Sequence, residues 1–174
     1  MYVVVTGPPG SGKSTLARSL ADELGLPLLA KDTIKQALLD EVGAADVPES
    51  RRLGGAAVTA LLAVARDAGT GVLDSVWVDR DRSVRRLREL GGVVEVFCRA
   101  DVDLMRSRYE QRAPGKGDGH LDGQRPVEEL WPEDALRPLD GGWPVVDVDT
   151  SGPVDVHRVA ERVRRTRSGP RSAC

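Results

Sequence analysis

A run of glycine, lysine and serine residues near the start of the chain has the composition of a phosphate-binding loop. Residues 7–14 read Gly-Pro-Pro-Gly-Ser-Gly-Lys-Ser and fit the pattern G-x-x-x-x-G-K-[ST]. Glycines lack a Cβ atom, so successive backbone N–H groups can turn toward an anion. The lysine suits the β- and γ-phosphates, and the final serine hydroxyl can coordinate Mg²⁺. We expect nucleotide binding by Gly7, Gly10, Ser11, Gly12, Lys13, Ser14 and Thr15, with Lys13 also catalytic and Ser14 also a metal ligand.

The residues on either side of this loop predict a strand before it and a helix after it. The apolar run at 2–6 is typical of a buried parallel strand, and Leu16, Leu20 and Leu24 recur at helical spacing. A helix N-terminus favours anions, because its first N–H groups have no partner within the helix. This context disfavours the alternative of a glycine-rich turn that matches the pattern by chance.

Length and composition favour a single globular domain over residues 1–174. The chain is 40% hydrophobic and 30% charged, and its formal net charge of −2 argues against a general nucleic-acid binder. No apolar run approaches the ~20 residues of a membrane span, and the first strand begins at once, so we also expect no signal peptide. The two cysteines, Cys98 and Cys174, predict neither a disulfide framework nor a zinc site. We therefore expect a cytoplasmic protein in which Cys98 is a buried thiol.

Strand-like and helix-like segments alternate along the chain, which predicts an α/β fold. Strands are predicted at 2–6, 26–30, 71–76, 93–98 and 145–148. Helices are predicted at 13–24, 33–42, 51–68, 81–90 and 101–112, and from Pro153 onward. This order indicates a five-stranded parallel sheet with helices on both faces, and ligands in such sheets bind at the carboxyl ends of the strands.

Some details of these segments are also predicted. A Thr33–Gln36 capping box is expected to open the second helix, which would bury Ile34, Leu38 and Val42. Residues 113–142 are rich in glycine and proline, with one short helix expected near 127–131, and loops of this length are usually functional or disordered. We expect a lid there and a frayed tail at 168–174.

Two acids follow predicted strands and so lie where a γ-phosphate is expected. Asp32 could accept the proton of an attacking hydroxyl and contact the substrate; alternatively it is a helix N-cap or an ion-pair partner of Lys31 or Lys35. Asp74 could hold Mg²⁺ or contact substrate, or else pair with an arginine.

Other candidate substrate residues follow the third strand. Trp77 suits a flat or apolar part of a substrate, although packing in the core is an equal alternative. Arg80 could bind substrate. In the long loop, His120 is either a lid contact to substrate or an exposed loop residue.

Three arginines lie on the helix that leads into the long loop. Guanidinium groups can stabilise the charge on a transferring phosphoryl group. We expect Arg106 to bind nucleotide and Arg108 and Arg112 to act in catalysis. The alternative is a solvated basic helix face.

Taken in order, these pieces resemble the small P-loop kinases, which include adenylate, shikimate and gluconate kinases, chloramphenicol phosphotransferase and the zeta toxins. The resemblance rests on the phosphate loop, Leu-Ala-Lys-Asp-Thr-Ile-Lys at 29–35, Leu-Asp-Ser at 73–75, Gly-His-Leu-Asp at 119–122 and Asp-Val-Asp-Thr-Ser-Gly-Pro at 147–153. The phosphate loop is specific, and the other pieces count mainly through their order. The nearest likeness is to antibiotic phosphotransferases such as those for chloramphenicol or capuramycin.

This resemblance implies an adenylate-kinase-like fold with the first strand central and a mobile lid. It implies that ATP or GTP, with Mg²⁺, donates its γ-phosphoryl group to a hydroxyl group of a small molecule. It assigns Asp32 as the base and places Asp149 to Pro153 near the nucleotide base, with Thr150, Gly152 and Pro153 as nucleotide-binding residues. The chain departs from nucleoside monophosphate kinases between strands 2 and 3, where Arg51 and Arg52 are the only arginine pair.

Two other functions stay open at the level of sequence. The acceptor could instead be a nucleotide, a nucleotide sugar or a nucleic-acid 5′-hydroxyl, although negative charge and few aromatic residues disfavour nucleic acid. A regulatory NTPase is a different class, and it would need a partner domain or oligomer for its output. The sequence names neither the acceptor nor the oligomeric state.

Overall fold

The computed structural model describes residues 1–77, 79–111 and 130–168. The strands are β1 Tyr2–Thr6, β2 Leu28–Ala30, β3 Gly71–Asp74, β4 Val93–Arg99 and β5 Val145–Asp149. The helices are α1 Lys13–Leu24, α2 Lys31–Val42, α3 Val47–Ala68, α4 Arg80–Arg88, α5 Val102–Gln111 and α6 Val156–Ser168. A short 3₁₀ helix spans Glu133–Leu136.

The five strands form one parallel sheet in the order β2-β3-β1-β4-β5. Val4 of the central strand is paired with Leu73 of β3 on one side and with Glu95 of β4 on the other. All five residues of β1 are buried, as expected for a parallel strand covered on both faces. The predicted parallel sheet and its central first strand are confirmed.

Helices cover both faces of the sheet, as predicted. On one face, α1 and α6 pack on Val3 and Val5 of the central strand. On the other face, Tyr2 and Val4 pack against Leu61 and Leu62 of α3 and Leu87 of α4. Because every strand is parallel, the carboxyl ends of the central strands open onto a single edge, where the phosphate loop begins.

The second helix differs from its prediction. It starts at Lys31 directly after β2, and Ala30 at its N-cap offers no side-chain cap. The Thr33–Gln36 capping box is therefore wrong, since Thr33 already lies inside the helix. Lys35 and Leu39 are buried, Ile34 and Leu38 are partly buried with Ile34 against the core, and Val42 is 66% exposed. The helix packs against α3 at the edge of the sheet. This contact buries the face that carries Lys35 and Leu39, which is shifted from the predicted face of Ile34, Leu38 and Val42.

Two helices also begin at residues other than those predicted, and each begins directly after an aspartate that caps it. Helix α3 begins at Val47 rather than at residue 51, because the Asp46 carboxylate accepts the Glu49 N–H at 2.8 Å. Helix α6 begins at Val156 rather than at Pro153, because Asp155 accepts the N–H of Arg158 at 3.0 Å. Such caps satisfy N–H groups that lack partners within the helix.

Some predictions lie outside the described residues: Arg112, His120, most of the helix expected near 127–131, the first part of the expected lid at 113–129, and the tail from residue 169. Within the described ranges, no helix combines the length and apolarity that crossing a membrane would require.

Candidate functional site

The phosphate loop joins β1 to α1 through glycines whose backbone other residues rarely adopt. Gly7, Gly10 and Gly12 have φ angles of 138°, 78° and 76°. A Cβ atom on Gly10 would lie 2.1 Å from the carbonyl oxygen of Met105 in α5, and one on Gly7 would lie 2.5 Å from the carbonyl oxygen of Cys98. Helix α1 has no side-chain cap at Gly12, so its first N–H groups are available to a phosphate.

The turn after β5 holds the back of the phosphate loop. The Thr150 hydroxyl lies 2.7 Å from the Ser11 carbonyl oxygen and 2.9 Å from that of Arg99. Arg108 donates from its two terminal nitrogens to the carbonyl oxygens of Thr150, at 3.0 Å, and Ser151, at 3.2 Å. The predicted nucleotide-binding residues Gly152 and Pro153 follow in the same turn and are exposed. In this arrangement Arg108 fixes the turn, and its predicted contact with a phosphoryl group stays a prediction.

Ser14 and Asp74 meet at the junction of the loop and β3. The Asp74 side chain is hydrogen-bonded to Ser14, and only 7% of the residue is exposed. Burial raises the pKa of the Asp74 carboxyl, and the Ser14 hydrogen bond and the positive charge of Lys13 oppose that rise. Its Oδ1 atom is buried and has no hydrogen-bond partner among the described residues.

This carboxylate fits a magnesium ion bound together with a nucleotide. Buried oxygen atoms in proteins nearly always have a bonding partner, so the Oδ1 atom of Asp74 is a candidate ligand for an ion. Hydroxyl and carboxylate oxygens are hard ligands of the kind that Mg²⁺ binds. Among the described residues, no group of three or more histidine, cysteine or acidic side chains is arranged so that it could hold a metal ion. Magnesium in nucleotide sites needs only one or two protein ligands, because phosphates and water supply the rest.

Asp32 lies in the first turn of α2, one residue after Lys31. Its side chain is 70% exposed, and its Oδ1 accepts a hydrogen bond from the Lys31 ammonium at 2.8 Å. Asp32 is therefore not the N-cap of α2, and the ion pair proposed as an alternative is present. Its negative charge raises the pKa of Asp74, so the two carboxylates lie close enough to interact. The structure thus brings Asp32 to the neighbourhood of the phosphate loop, and its role as base stays a prediction.

A cavity of about 570 Å³ borders the phosphate loop on the side of α4. Its described walls are the loop residues Thr6, Gly7, Pro8 and Pro9, the segment after β3 with Val76, Trp77, Asp79, Arg80 and Asp81, and the later residues Leu130, Pro132, Asp134, Ala135, Arg137 and Leu139. Asp32 is not among them. It lies instead on a separate, more open depression with Thr33, Gln36, Ala37 and Asp40.

Arg80 attaches the later wall of this cavity to α4. Its guanidinium group donates to the carbonyl oxygens of Asp134, at 2.6 Å, Arg137, at 3.2 Å, and Pro138. Both terminal nitrogens of Arg80 are thus engaged with backbone. Its predicted contact with substrate stays a prediction, and this structure adds a structural function that the sequence did not indicate.

Glu95 was missed by the sequence analysis and anchors the same wall from below. It is fully buried in β4 and accepts hydrogen bonds from the Thr6 hydroxyl at 2.7 Å, the Leu139 N–H at 2.9 Å and the Trp143 indole N–H at 2.9 Å. The available signal was a single acid inside the apolar run at 93–98. The second part of the expected lid, at 130–142, is therefore tied to the sheet.

A second missed contact joins this wall to the phosphate loop. The Trp131 indole N–H donates to the carbonyl oxygen of Pro9 at 3.0 Å. The guanidinium carbon of Arg106 lies 5.7 Å from the Trp131 ring centroid, and Tyr109 makes an edge-to-face contact with the same ring. Arg106, predicted to bind nucleotide, thus forms a cation–π contact beside the loop.

Cys98 is buried, as predicted, at the end of β4 beneath the loop. Burial raises the pKa of its thiol to about 12, which favours the protonated form near neutral pH.

Comparison with known proteins gives a family and a fold. Residues 3–125 match the model of a family described as an AAA domain. The structure of a candidate kinase from Chloroflexus aurantiacus is 30% identical in sequence and superposes with a TM-score of 0.79, covering 95% of this chain and 97% of that one. A gluconokinase from Sinorhizobium meliloti superposes with a TM-score of 0.61 over 96% of this chain and 94% of its own, at 21% identity, which supports the fold alone.

A relative known from sequence is much longer than this chain. An uncharacterized protein of Mycobacterium tuberculosis is 35% identical in an alignment 130 positions long, which covers 66% of this chain but 26% of that protein. This chain thus spans about a quarter of the length of its mycobacterial relative. The family model matches well over half of the chain, and this match is the decisive comparison. The chain belongs to the AAA domain family, and its fold is that of the small P-loop kinases.

Proposed function

We propose that the protein is a phosphotransferase that moves the γ-phosphoryl group of ATP or GTP to a hydroxyl group of a small molecule. The observation that carries the proposal is the meeting of three features at one edge of the sheet. These are the glycine loop, the hydrogen-bonded pair of Ser14 and Asp74 behind it, and a cavity beside it large enough for an acceptor. A donor site and an acceptor site side by side suit direct transfer between two bound molecules.

In the proposed reaction, the acceptor oxygen forms a bond to the γ-phosphorus while the bond from that phosphorus to the bridging oxygen breaks. The nucleoside diphosphate leaves, and the hydroxyl proton passes to a carboxylate. Our candidate is Asp32, which lies outside the described walls of the cavity but follows β2 at the same edge of the sheet and interacts with Asp74. Lys13 would stabilise the charge that spreads over the phosphoryl oxygens, as would the N–H groups of the loop. When bound, Mg²⁺ would neutralise phosphate charge, held by Ser14 and Asp74.

A narrower form of this proposal follows the resemblance to antibiotic phosphotransferases. In it, the acceptor is an antibiotic and the enzyme confers resistance. The support for it is the order along the chain of the phosphate loop, Leu-Asp-Ser at 73–75 and Gly-His-Leu-Asp at 119–122. Gluconokinase shares the fold at 21% identity, so the acceptor must be found by experiment.

The direct test incubates the protein with Mg²⁺ and ATP or GTP and a panel of hydroxyl compounds, including gluconate, shikimate and chloramphenicol. Mass spectrometry then detects the gain of one phosphoryl group. We expect one class of compound to be phosphorylated and nucleotide turnover to be nearly silent without it. Lys13→Ala should lower transfer by roughly 10²-fold or more, because it removes charge stabilisation in the transition state.

Arg18→Ala is the matched control, since it removes a positive charge from the exposed face of the same helix. It should leave transfer unchanged. Two results would count against the proposal: a folded Lys13→Ala protein that transfers phosphoryl at the wild-type rate, or steady nucleotide hydrolysis that no acceptor stimulates. The second result favours a regulatory NTPase.

A further inference from the structure

We propose that the cavity beside the phosphate loop takes an uncharged ring-bearing part of the acceptor, and that the Trp77 indole N–H donates a hydrogen bond to an oxygen on that part. The inference rests on the proposed function and deepens it. It names the acceptor class as a hydroxyl compound with an aromatic or alicyclic body and a carbonyl or ether oxygen, rather than a polyhydroxy acid or a phosphate ester.

The size and position of the cavity suit such a molecule. Its volume of about 570 Å³ lies within the ~300–1,000 Å³ of small-molecule sites. Pro8 and Pro9 form its wall on the side of the loop. A molecule in the cavity would therefore lie beside the loop that binds the donor phosphates.

The unpaired indole of Trp77 is the feature that points to a ligand. Trp77 is 7% exposed and lines the cavity, and its Nε1 is buried without a hydrogen-bond partner among the described residues. Buried donors in proteins nearly always have partners, and an indole can only donate. The two other tryptophans have partners, since Trp131 donates to Pro9 and Trp143 donates to Glu95. A ligand oxygen would supply the missing acceptor once a small rotation of the indole ring turns its buried Nε1 atom toward the cavity.

The apolar part of the lining suits a ring. Leu130 and Leu139, which are 6% exposed each, face the cavity together with Pro132, Ala135 and Val76. Together with the Trp77 ring, these side chains would contact apolar surface over a large part of a bound molecule.

The charged side chains in the lining are largely engaged with the protein. Arg80 donates to three backbone carbonyl groups, and Arg137 is paired with Asp134. Asp79 accepts the N–H of Arg82 as the cap of α4. Both arginines of the described lining thus already have partners, and the carboxylates of Asp79, Asp81 and Asp134 outnumber them. A carboxylate or phosphate in the cavity would be poorly compensated.

The test uses the three tryptophan indole N–H signals in ¹⁵N-¹H NMR spectra, with the Trp77 signal assigned from Trp77→Phe. The probes are 4-(hydroxymethyl)benzamide and gluconate. We expect 4-(hydroxymethyl)benzamide to give a saturable downfield shift of the Trp77 signal, larger than the shifts of Trp131 and Trp143, and gluconate to give none. Trp77→Phe keeps a ring but lacks the N–H, so it should weaken binding of the benzamide several-fold.

Ala135→Leu fills part of the cavity and should abolish the shift, whereas Ala63→Leu, on the exposed face of α3, should not change it. The inference is overturned if the benzamide gives no saturable shift, if gluconate shifts Trp77 equally, or if Ala135→Leu binds like wild type. Phosphoryl transfer is followed by ³¹P NMR in the same samples with Mg²⁺ and ATP. A Trp77 shift without transfer to any compound of the larger panel would leave the cavity site standing and count against the kinase. Transfer to gluconate alone would support the kinase and count against the cavity site.

Discussion

The Ser14 side chain, in the phosphate loop, is hydrogen-bonded to the Asp74 carboxylate at the end of β3. This contact links the residue that follows Lys13 to a strand about sixty positions later in the chain. The parallel pairing of β1 with β3 explains this contact, because Asp74 is paired with Val5, two residues before the first glycine of the loop. The cost of burying this carboxylate is visible in its raised pKa, and a bound cation would offset that cost.

Asp74→Asn should separate stability from activity. The folded pKa of Asp74 lies above its ordinary value, so its charged form destabilises the fold at pH values above that folded pKa and the effect is relieved as pH falls. The amide should therefore leave the melting temperature of the ligand-free protein unchanged or raise it at neutral pH. It should also remove Mg²⁺-dependent nucleotide binding and transfer. Thermal melts at neutral and acidic pH, together with nucleotide titrations with and without Mg²⁺, check both expectations. Unchanged Mg²⁺ dependence would contradict the assignment.

Gly10→Ala should destabilise the protein. Gly10 has a φ angle of 78°, and an added Cβ would lie 2.1 Å from the Met105 carbonyl oxygen. The backbone conformation alone costs about 1–2 kcal/mol, and the clash would add to it by pushing α5 from the loop. Gly55→Ala is the control, because a Cβ there meets nothing within 4 Å, and alanine in a helix is favoured by roughly 0.5–1 kcal/mol. Urea denaturation compares the two. Equal stability of Gly10→Ala and wild type would show that α5 does not pack on the loop.

Local signals allowed much of the site to be predicted from sequence. The glycines shape the backbone of their own loop and the lysine adds its charged side chain to the same loop, so the pattern can be recognised in eight consecutive residues. The same holds for the strand before the loop and the helix after it. Asp74 was identified because it ends a short apolar strand.

Contacts between distant segments could not be predicted in the same way. Glu95 accepts from Leu139 and Trp143, which are 44 and 48 positions away, and nothing near Glu95 indicates these partners. The burial of Leu39 rather than Val42 depends on how α2 packs on α3, which is a tertiary choice. The alternatives for Trp77 were core or substrate, and it is in fact buried and also lines a cavity.

His157 should make stability depend on pH. Its Nδ1 lies 2.9 Å from the Glu23 Oε1, which raises the pKa of the imidazole; Glu161 also raises it and Arg164 opposes the rise. A raised pKa means that the charged form is stabilised in the fold. The stabilisation is full below the unfolded pKa of about 6.5 and is lost as pH rises through the higher folded pKa. His157→Gln should therefore lower the melting temperature more at about pH 5.5 than at about pH 8.5.

His157→Lys is the matched variant for that measurement, because lysine stays charged over this range. Its melting temperature should differ from that of wild type less at about pH 5.5 than at about pH 8.5, where wild type has lost its charge. A glutamine variant that lowers the melting temperature equally at both pH values would show that the contact with Glu23 acts through packing rather than charge.

Asp32→Asn tests the proton acceptor of the proposed reaction. If Asp32 takes the proton of the acceptor hydroxyl, the amide should reduce phosphoryl transfer by roughly 10²-fold or more. Nucleotide affinity should change little, because the loop would hold the phosphates without it. Stability should also change little, since the ion pair with Lys31 is 70% exposed on the aspartate side and such pairs contribute ~0–1 kcal/mol.

The control for this variant is Asp40→Asn, on the same helix, where the carboxylate accepts a hydrogen bond from Gln36. It should transfer phosphoryl at the wild-type rate. If Asp32 instead chiefly holds Mg²⁺, Mg²⁺-dependent nucleotide binding should fall together with turnover. If Asp32 only pairs with Lys31, both should stay intact. Nucleotide titration with and without Mg²⁺, beside turnover on an identified acceptor, separates the three cases, and an Asn variant with near wild-type transfer would exclude Asp32 as the base.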